Sequence, residues 1–523
     1  MDLFDSDEYT RHINDLLKEW HVPGLSIAIV QNDKIISKGY GYASLEKKKP
    51  CTGDTIYDFA SCSKSLTAAS VALMVANDEK FPQVKWDSKM CELLPEDFVM
   101  GEESYTRDVT VEDVLSHRTG LAAPENDFAG LNVKKGEIDS AKTITRNLRN
   151  LAISQPIRTK MQYCNLMFTV ATHLVETLTT KPFAEILQEW FFKPLGMTSS
   201  HLQPQAVIDA GLESRLAIPY RYDDDTKVYE PIPWLESPEA QGAGSIYTSA
   251  NDYVKYVKAI MNKEDMFTEE IVKGLTKPRI YEDDEDEDDK RSPMTSWTAY
   301  AAGWDCSYRG HKIISHDGLN YGYGLTHFFM PALRFGGVVV GNSGDANDIA
   351  AIVSRELMDQ VLKVPQDERS DWNLRFRDDL ERETEEEKQR VENLKEEMRS
   401  AGDGELEQKT PLSTYIGRYW NEGYKAMEVE IKDDQLFIDA SDRSMGFFLT
   451  FEHICDDAKY VVHLSDFVEG GDDQMAAEFV FEGPTILKFG LSLEEDLDEM
   501  IWFDKVPQSR GLGTRSLVYL LTP

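Results

Sequence analysis

No apolar run in the chain is long enough to cross a bilayer. The longest, LTAASVALMVA at residues 66–76, falls well short of the roughly 20 residues that a membrane helix needs. The opening residues, MDLFDSDEYT, carry neither the basic start nor the apolar stretch of a secretory or transit peptide, so the expected address is cytoplasmic. Cysteine is sparse and scattered. The six residues, at 51, 62, 91, 164, 306 and 455, show no paired spacing, which argues against both a disulfide framework and a zinc site. Positive charge is short as well: 56 Lys and Arg face 93 Asp and Glu, for a formal net charge of -37. Phosphate backbones and anionic membranes need a basic patch, so neither nucleic acid nor a membrane is an expected partner. The acidic run EDDEDEDD at 282–289 lacks the turn glycine and ligand spacing of a calcium loop and reads as a solvated loop. No metal and no cofactor is expected, and no internal repeat is visible.

What is present is a chain of 523 residues with 41% hydrophobic content, enough for one large core and a second, smaller one. Residues 7–20 read as a helix. HVPGLSIAIVQNDKIISKGYGYA reads as a hairpin turning at Gln31–Lys34, with β-branched runs on either side. The apolar run after Ser61 is apolar nearly all round and predicts a helix buried within the fold. Strands at LTHFFMP and GGVVVGNS precede a helix at DIAAIVSRELMDQVL, so residues 1–363 are expected to form an α+β domain, an antiparallel sheet flanked by helices. Residues 364–410 are highly charged. Trp372, Phe376, Leu380, Val391, Leu394 and Met398 trace a broken helical stripe there, which reads as a surface linker helix and leaves room for a dimerising coil. From 411 to 523 the pattern becomes period two, with a turn at Asp433-Asp434, and predicts a small antiparallel β-barrel or sandwich, the barrel being preferred.

The chemistry centres on FASCSKS, residues 59–65. Ser61 and Lys64 stand three apart, on one side of a helix. A serine hydroxyl becomes a nucleophile when a neighbouring base takes its proton, and a lysine shifted toward neutrality can be that base. Alone the spacing is weak. A chain of this length offers on the order of two accidental matches, and Ser44-x-x-Lys47 is one; a plain capping serine explains an isolated case better. Two further motifs follow in order, Tyr163-x-Asn165 and His316-x-Gly318. A second Tyr-x-Asn, at Tyr419–Asn421, comes after the histidine and breaks the order.

This ordered set resembles the serine β-lactamase and penicillin-binding-protein superfamily, particularly its class C β-lactamase, D-alanyl carboxypeptidase, D-aminopeptidase and esterase branch. HVPGLSIAIV, VTVEDVLSHRTGL, GAGSIYTSANDYVKY and AAGWDC are also similar to segments of that family, and the likeness spans roughly residues 8 to 360. The resemblance implies a β-lactamase/transpeptidase-like domain with Ser61 as the acylated nucleophile. Lys64 and Tyr163 would share its proton, and Asn165 would orient Lys64 and the substrate. His316 and Gly318 would lie on an edge strand facing the serine, with the backbone N–H groups of Ser61 and Leu319 as the oxyanion hole. Trp304 and Tyr57 would be pocket walls, although large aromatics of this kind read equally well as ordinary core. Family members that recognise β-lactams usually carry Lys-Thr-Gly where this chain has His-Asp-Gly, so a fixed cation is lost and small esters, uncharged amides or short peptides are the expected substrates. Hydrolysis and acyl transfer to a small metabolite share the same acyl-enzyme and remain alternatives; a catalytically silent binding protein is a third reading, disfavoured by the intact motifs. Cys62, Cys164 and His117 read as structural. The β-rich tail resembles lipocalin-like barrels appended to such hydrolases, and would serve as a cap, a surface for self-association or a stabilising accessory.

Overall fold

The computed structural model describes residues 6–122, 139–282, 295–400, 407–494 and 496–507. From residue 283 onward, the acidic run at 282–289 lies outside the described residues. The chain divides into two compact units, one comprising Met1–Arg390 with Ser441–Gly446 and Asp466–Gly471, the other the remaining C-terminal residues.

The first unit opens on helix α1 (Asp7–Glu19). Ser6 caps it by accepting the Tyr9 N–H, Asp7 and Glu8 sit at its positive end, and Lys18 at its negative end. Tyr9, Ile13, Leu16 and Leu17 form the buried stripe, each contributing roughly 1.5–3 kcal/mol by leaving water. Strands β1 (Gly24–Gln31) and β2 (Lys34–Ser44) follow as the expected hairpin. Its turn residues Asn32 and Asp33 both take positive φ, 47° and 73°, the two-residue geometry whose twist matches that of the strands.

Helices α2 (Lys64–Val75), α3 (Asn165–Thr179) and α4 (Ala250–Asn262) come next in chain order. After them come β3 (Asp305–Arg309), β4 (His311–Asn320), β5 (Tyr323–Met330), β6 (Phe335–Gly341) and helix α5 (Ala346–Val361). The strands make one antiparallel sheet in the order β2-β1-β6-β5-β4-β3, extended by two-residue strands at 49–50 beyond β2 and at 299–300 and 280–281 beyond β3. On one face Leu25, Ile27 and Ile29 pack with Ile13 of α1 and Ile349, Ile352 and Val353 of α5. The alternate residues Ser26, Ala28 and Val30 are equally buried on the other face, so the sheet is covered on both sides. The second unit contains a closed antiparallel barrel of eight strands between Gly417 and Lys505. Its interior holds Tyr419, Phe479, Phe489 and Phe503 in mutual ring contact. Among the described residues no helix is long and apolar enough to cross a membrane.

One expectation is corrected by the register. β4 is not an edge strand, since β3 lies beside it. The last β3 pair is Asp305 with Ser315, however, while β4 continues to pair with β5 through Asn320. Residues 316–320 therefore run past the end of β3 and present one open side.

Three of the buried histidines in this unit, His117, His316 and His327, have their pKa held below its ordinary value by burial. Unfolded histidine takes up a proton near pH 6.5, so the stability tied to these neutral rings is present above that pH and is lost as pH falls through it. His327 stacks on Trp304 at 4.4 Å, and among the described residues neither of its ring nitrogens has a hydrogen-bond partner. His327→Phe is therefore expected to lose about 2 kcal/mol less unfolding free energy than the unsubstituted protein between pH 7.5 and pH 5, measured by chemical denaturation. Equal losses would contradict the assignment of a buried neutral ring.

Candidate active site

The site is built around the turn that starts α2. Residues Ala60–Ser63 form a single 3-10 turn running into the helix. Ala60 sits at φ 40°, in the left-handed region that a residue with a Cβ rarely adopts. Asp58 accepts the Ala60 N–H at 2.8 Å. The turn places Ser61 one helical step from Lys64, and Lys64 Nζ donates to Ser61 Oγ at 2.8 Å and to the Ala243 carbonyl at 3.0 Å. Lys64 has no exposed surface. The Tyr163 ring centroid lies 4.7 Å from its ammonium nitrogen and that of Phe168 5.6 Å.

The Ala243 carbonyl is held by its neighbours. Thr67 of α2 donates to the Gly242 carbonyl at 2.8 Å, and Thr172 of α3 to that of Gln241 at 3.1 Å. Gly242 has φ 89°, and a Cβ there would collide with Thr172 Oγ1, so the position requires glycine. Tyr163 is braced from both sides by one residue. The His117 carbonyl accepts the Gln162 N–H at 2.8 Å, and His117 Nδ1 accepts the Cys164 N–H at 2.9 Å. Accepting at Nδ1 leaves the ring proton on Nε2, and the ring packs 4.3 Å from that of Tyr163. Asn165 opens α3 and lines the cavity in front of Ser61.

On β4, the His316 Nδ1–H donates to the Asp317 carbonyl at 2.6 Å and Nε2 accepts from the Tyr300 hydroxyl at 2.9 Å. Burial, reinforced by the Lys64 charge, pushes the imidazole pKa down to about 3, so the ring is neutral at physiological pH. Cys62, the residue after Ser61, is buried, and its thiol donates to the His316 carbonyl at 3.2 Å. Burial pushes that thiol well above the ordinary range. It pins α2 to β4, consistent with a packing role. A Cβ on Gly318 would stand 3.1 Å from the Phe59 carbonyl and closer still to Leu325, so glycine lets the strand approach the turn.

The cavity in front of Ser61 is lined by Leu319, Asn320, Tyr321, Trp234, Leu235 and Tyr247, with carboxylates at Asp58 and Glu236. Ser444 and Met445, from a segment that packs as part of the first unit, complete it. Among the described residues, no lysine or arginine lines it. Burial raises the Asp58 carboxyl to about 6. Ser61, Asn165 and Leu319 thus share one cavity, with Lys64 and Tyr163 behind the serine. Tyr57 and Trp304 do not line it. Both are wholly buried, Tyr57 sharing a hydrogen bond with Ser26 and Trp304 stacking on His327. Tyr300, Asp58, Asn320 and Ala243 belong to the site and carry no motif that would have marked them.

A serine in contact with a buried lysine, at the start of a central helix beneath an antiparallel sheet, defines the transpeptidase-like class of serine enzymes. The comparisons give the family: a sequence model of the Beta-lactamase family matches residues 10–361, and the chain belongs to that family of serine hydrolases. Residues 405–505 match a domain of unknown function, DUF3471. The chain is 33% identical to the unguisins hydrolase ungD' of Aspergillus campestris, over 96% of this chain and 92% of that one. It is 31% identical to the unguisins hydrolase ungD of Aspergillus violaceofuscus, over 86% and 82% respectively. The fold is shared with the octameric penicillin-binding protein homologue from Pyrococcus abyssi, with TM-score 0.56 and 19% identity over 94% of this chain and 98% of that one. It is shared too with a D-amino acid amidase from Ochrobactrum anthropi, with TM-score 0.55 and 21% identity over 71% of this chain and all of the other.

His117→Leu removes the acceptor for the Cys164 N–H and loosens the Tyr163 turn. Turnover is expected to fall by roughly tenfold to a hundredfold, as for displacement of a reacting group by about an ångström, with cooperative unfolding retained. Unchanged kcat in a folded variant would contradict the bracing role.

Proposed function

We propose that the protein hydrolyses an amide or ester bond in a small, apolar peptide-like molecule that bears no anionic group near the scissile bond. The observation that carries this reading is the cavity in front of Ser61, with aromatic and aliphatic walls, two carboxylates and no lysine or arginine among its lining residues. An anionic group would lie against Asp58 or Glu236 with no lysine or arginine among the described lining residues to pair with it, Lys64 being buried behind Ser61 and already donating to Ser61 Oγ and the Ala243 carbonyl, whereas an uncharged backbone or an amine meets no such repulsion. The neutral His316, in place of a lysine, leaves the sheet side equally without positive charge.

In this reading Ser61 Oγ attacks the substrate carbonyl carbon, and its proton passes to the amine form of Lys64, 2.8 Å away. The tetrahedral oxyanion faces the N–H groups of Ser61 and Leu319. Leu319 is suited to this because Asn320 and Tyr323 close a two-residue hairpin. Pairing alternates along such a ladder, so the next pair, Leu319 with Gly324, is non-hydrogen-bonded and the Leu319 N–H points to the open side of β4. Collapse breaks the bond to the leaving nitrogen or oxygen, which takes the proton back through Lys64 and Tyr163. Water then attacks the acyl-serine, returning the hydroxyl and releasing the acid. Asn165 orients the substrate amide. Hydrolysis is favoured over acyl transfer because two relatives above 30% identity are named hydrolases.

Ser61→Ala is expected to lower kcat/KM by roughly 10⁴-fold or more, and Lys64→Ala comparably, because groups acting as one unit do not lose function additively. A panel of short apolar peptides tests the substrate class. Placing a free carboxylate beside the scissile bond, in place of an amide, should lower kcat/KM at least about tenfold, equivalent to ~1.4 kcal/mol. A preference for the carboxylate would contradict the electrostatic reading. Product formed only as a conjugate with an added amine or alcohol, never as free acid, would replace hydrolysis by acyl transfer.

A further inference from the structure

The nucleophile turn, the loop that receives Lys64 and the strand that carries Leu319 come from distant parts of the chain, and one buried side chain touches all three. Asp58 is 2% exposed. One carboxylate oxygen accepts the Ala60 N–H at 2.8 Å and the other accepts Asn320 Nδ2 at 2.8 Å, and the Ser245 backbone N–H lies close enough to favour the ionised carboxylate. Ala60 is the residue before Ser61, Ser245 lies two residues after Ala243, and Asn320 is the residue after Leu319. Ala60 and Ser245 are both in the left-handed region, at φ 40° and φ 71°. Such conformations persist in non-glycine residues when surrounding contacts over-determine them. The carboxylate thus accepts from one strained corner and one side-chain amide and lies beside a second strained corner.

We propose that Asp58 is a positioning residue of the active site, fixing the Ser61 turn, the Ala243 loop and the Leu319 strand relative to one another. It acts through Ala60, Ser245 and Asn320. The inference rests on the reading of Ser61 as nucleophile and Leu319 as oxyanion donor, and adds what keeps those two groups in register. Aspartate suits the task because an ionised carboxylate is acceptor-only and can serve both donors at once, whereas an asparagine would present its own N–H₂ to one of them.

The test is the rate at which a fluorophosphonate labels Ser61, together with kcat and KM on an activated acyl ester. In labelling, serine Oγ displaces fluoride from phosphorus, forming the O–P bond, and the hydroxyl proton leaves with the base. Asp58→Ala is expected to lower both the labelling rate and kcat about a hundredfold, as for a misplaced reacting group, with KM changed far less. Asn320→Asp sets two carboxylates against each other and should fall similarly. The double variant Asp58→Asn with Asn320→Asp exchanges donor and acceptor and should recover at least tenfold over either single change. This rescue keeps the test decisive if Asp58→Ala does not fold, since a purely structural loss would not be repaired by the exchange. A folded Asp58→Ala that labels at the unsubstituted rate, or a double variant no better than its single parents, overturns the proposal. An unsubstituted protein that takes no label at Ser61 overturns the nucleophile reading itself, and is distinguishable from either result.

Discussion

The contact that organises this molecule is the one between Ser61 Oγ and the Nζ of a lysine with no solvent-exposed surface. A lysine buried without partners is among the costliest groups a fold can hold, so the walls around Lys64 must supply acceptors and π faces. The Ala243 carbonyl is one such acceptor, and the rings of Tyr163 and Phe168 face the nitrogen. Each of those groups is itself fixed: Ala243 by a loop anchored on Thr67 and Thr172, and Tyr163 by His117. Helices α2 and α3 therefore meet through side-chain bonds to a shared loop as well as through apolar packing. The polar face of α2 is as buried as its apolar one from Lys64 to Ala72, which accounts for Ser65, Thr67 and Ser70 bonding to nearby carbonyls.

The sheet side of the site is electrically quiet by comparison. His316 brings no fixed cation, and its hydrogen bonds to Tyr300 and the Asp317 carbonyl give it the neutral tautomer with the proton on Nδ1. Its ring engages the protein on both nitrogens and faces Lys64, whose charge disfavours protonation of the ring. If Ser61 is acylated as proposed, the acyl group sits in a cavity bearing the carboxylates Asp58 and Glu236, where shape and backbone hydrogen bonds rather than ion pairing would hold it.

The amphipathic and alternating segments were legible in the sequence because their burial follows local periodicity. The stripe of α1, the Asn32-Asp33 turn and the period-two strands of the tail all lie where the pattern puts them. Ser61, Lys64 and Tyr163 were legible through motif order, and Ser61 and Lys64 are in direct contact. The remainder depends on contacts distant in sequence. Asp58 and Asn320 meet across 262 positions and Lys64 and Ala243 across 179, and no local pattern marks either pair. For Trp304 and Tyr57 the resemblance implied pocket walls while their size suited ordinary core equally well; their rings lie in the packed core. The strand bearing His316 was expected at the sheet edge, and it is open on one side only beyond Ser315, where the neighbouring strand stops.

The central claim is that Ser61 carries the acyl group during turnover. It is tested most directly by acid-quenching the enzyme while it turns over an acyl ester or peptide substrate and mapping the mass increase by peptide mass spectrometry. The account predicts an adduct equal to the substrate's acyl portion on the peptide containing Ser61, absent from Ser61→Ala and discharged to free acid when substrate runs out. Turnover at an undiminished rate in Ser61→Ala, or an acyl adduct mapped to another residue, would contradict it.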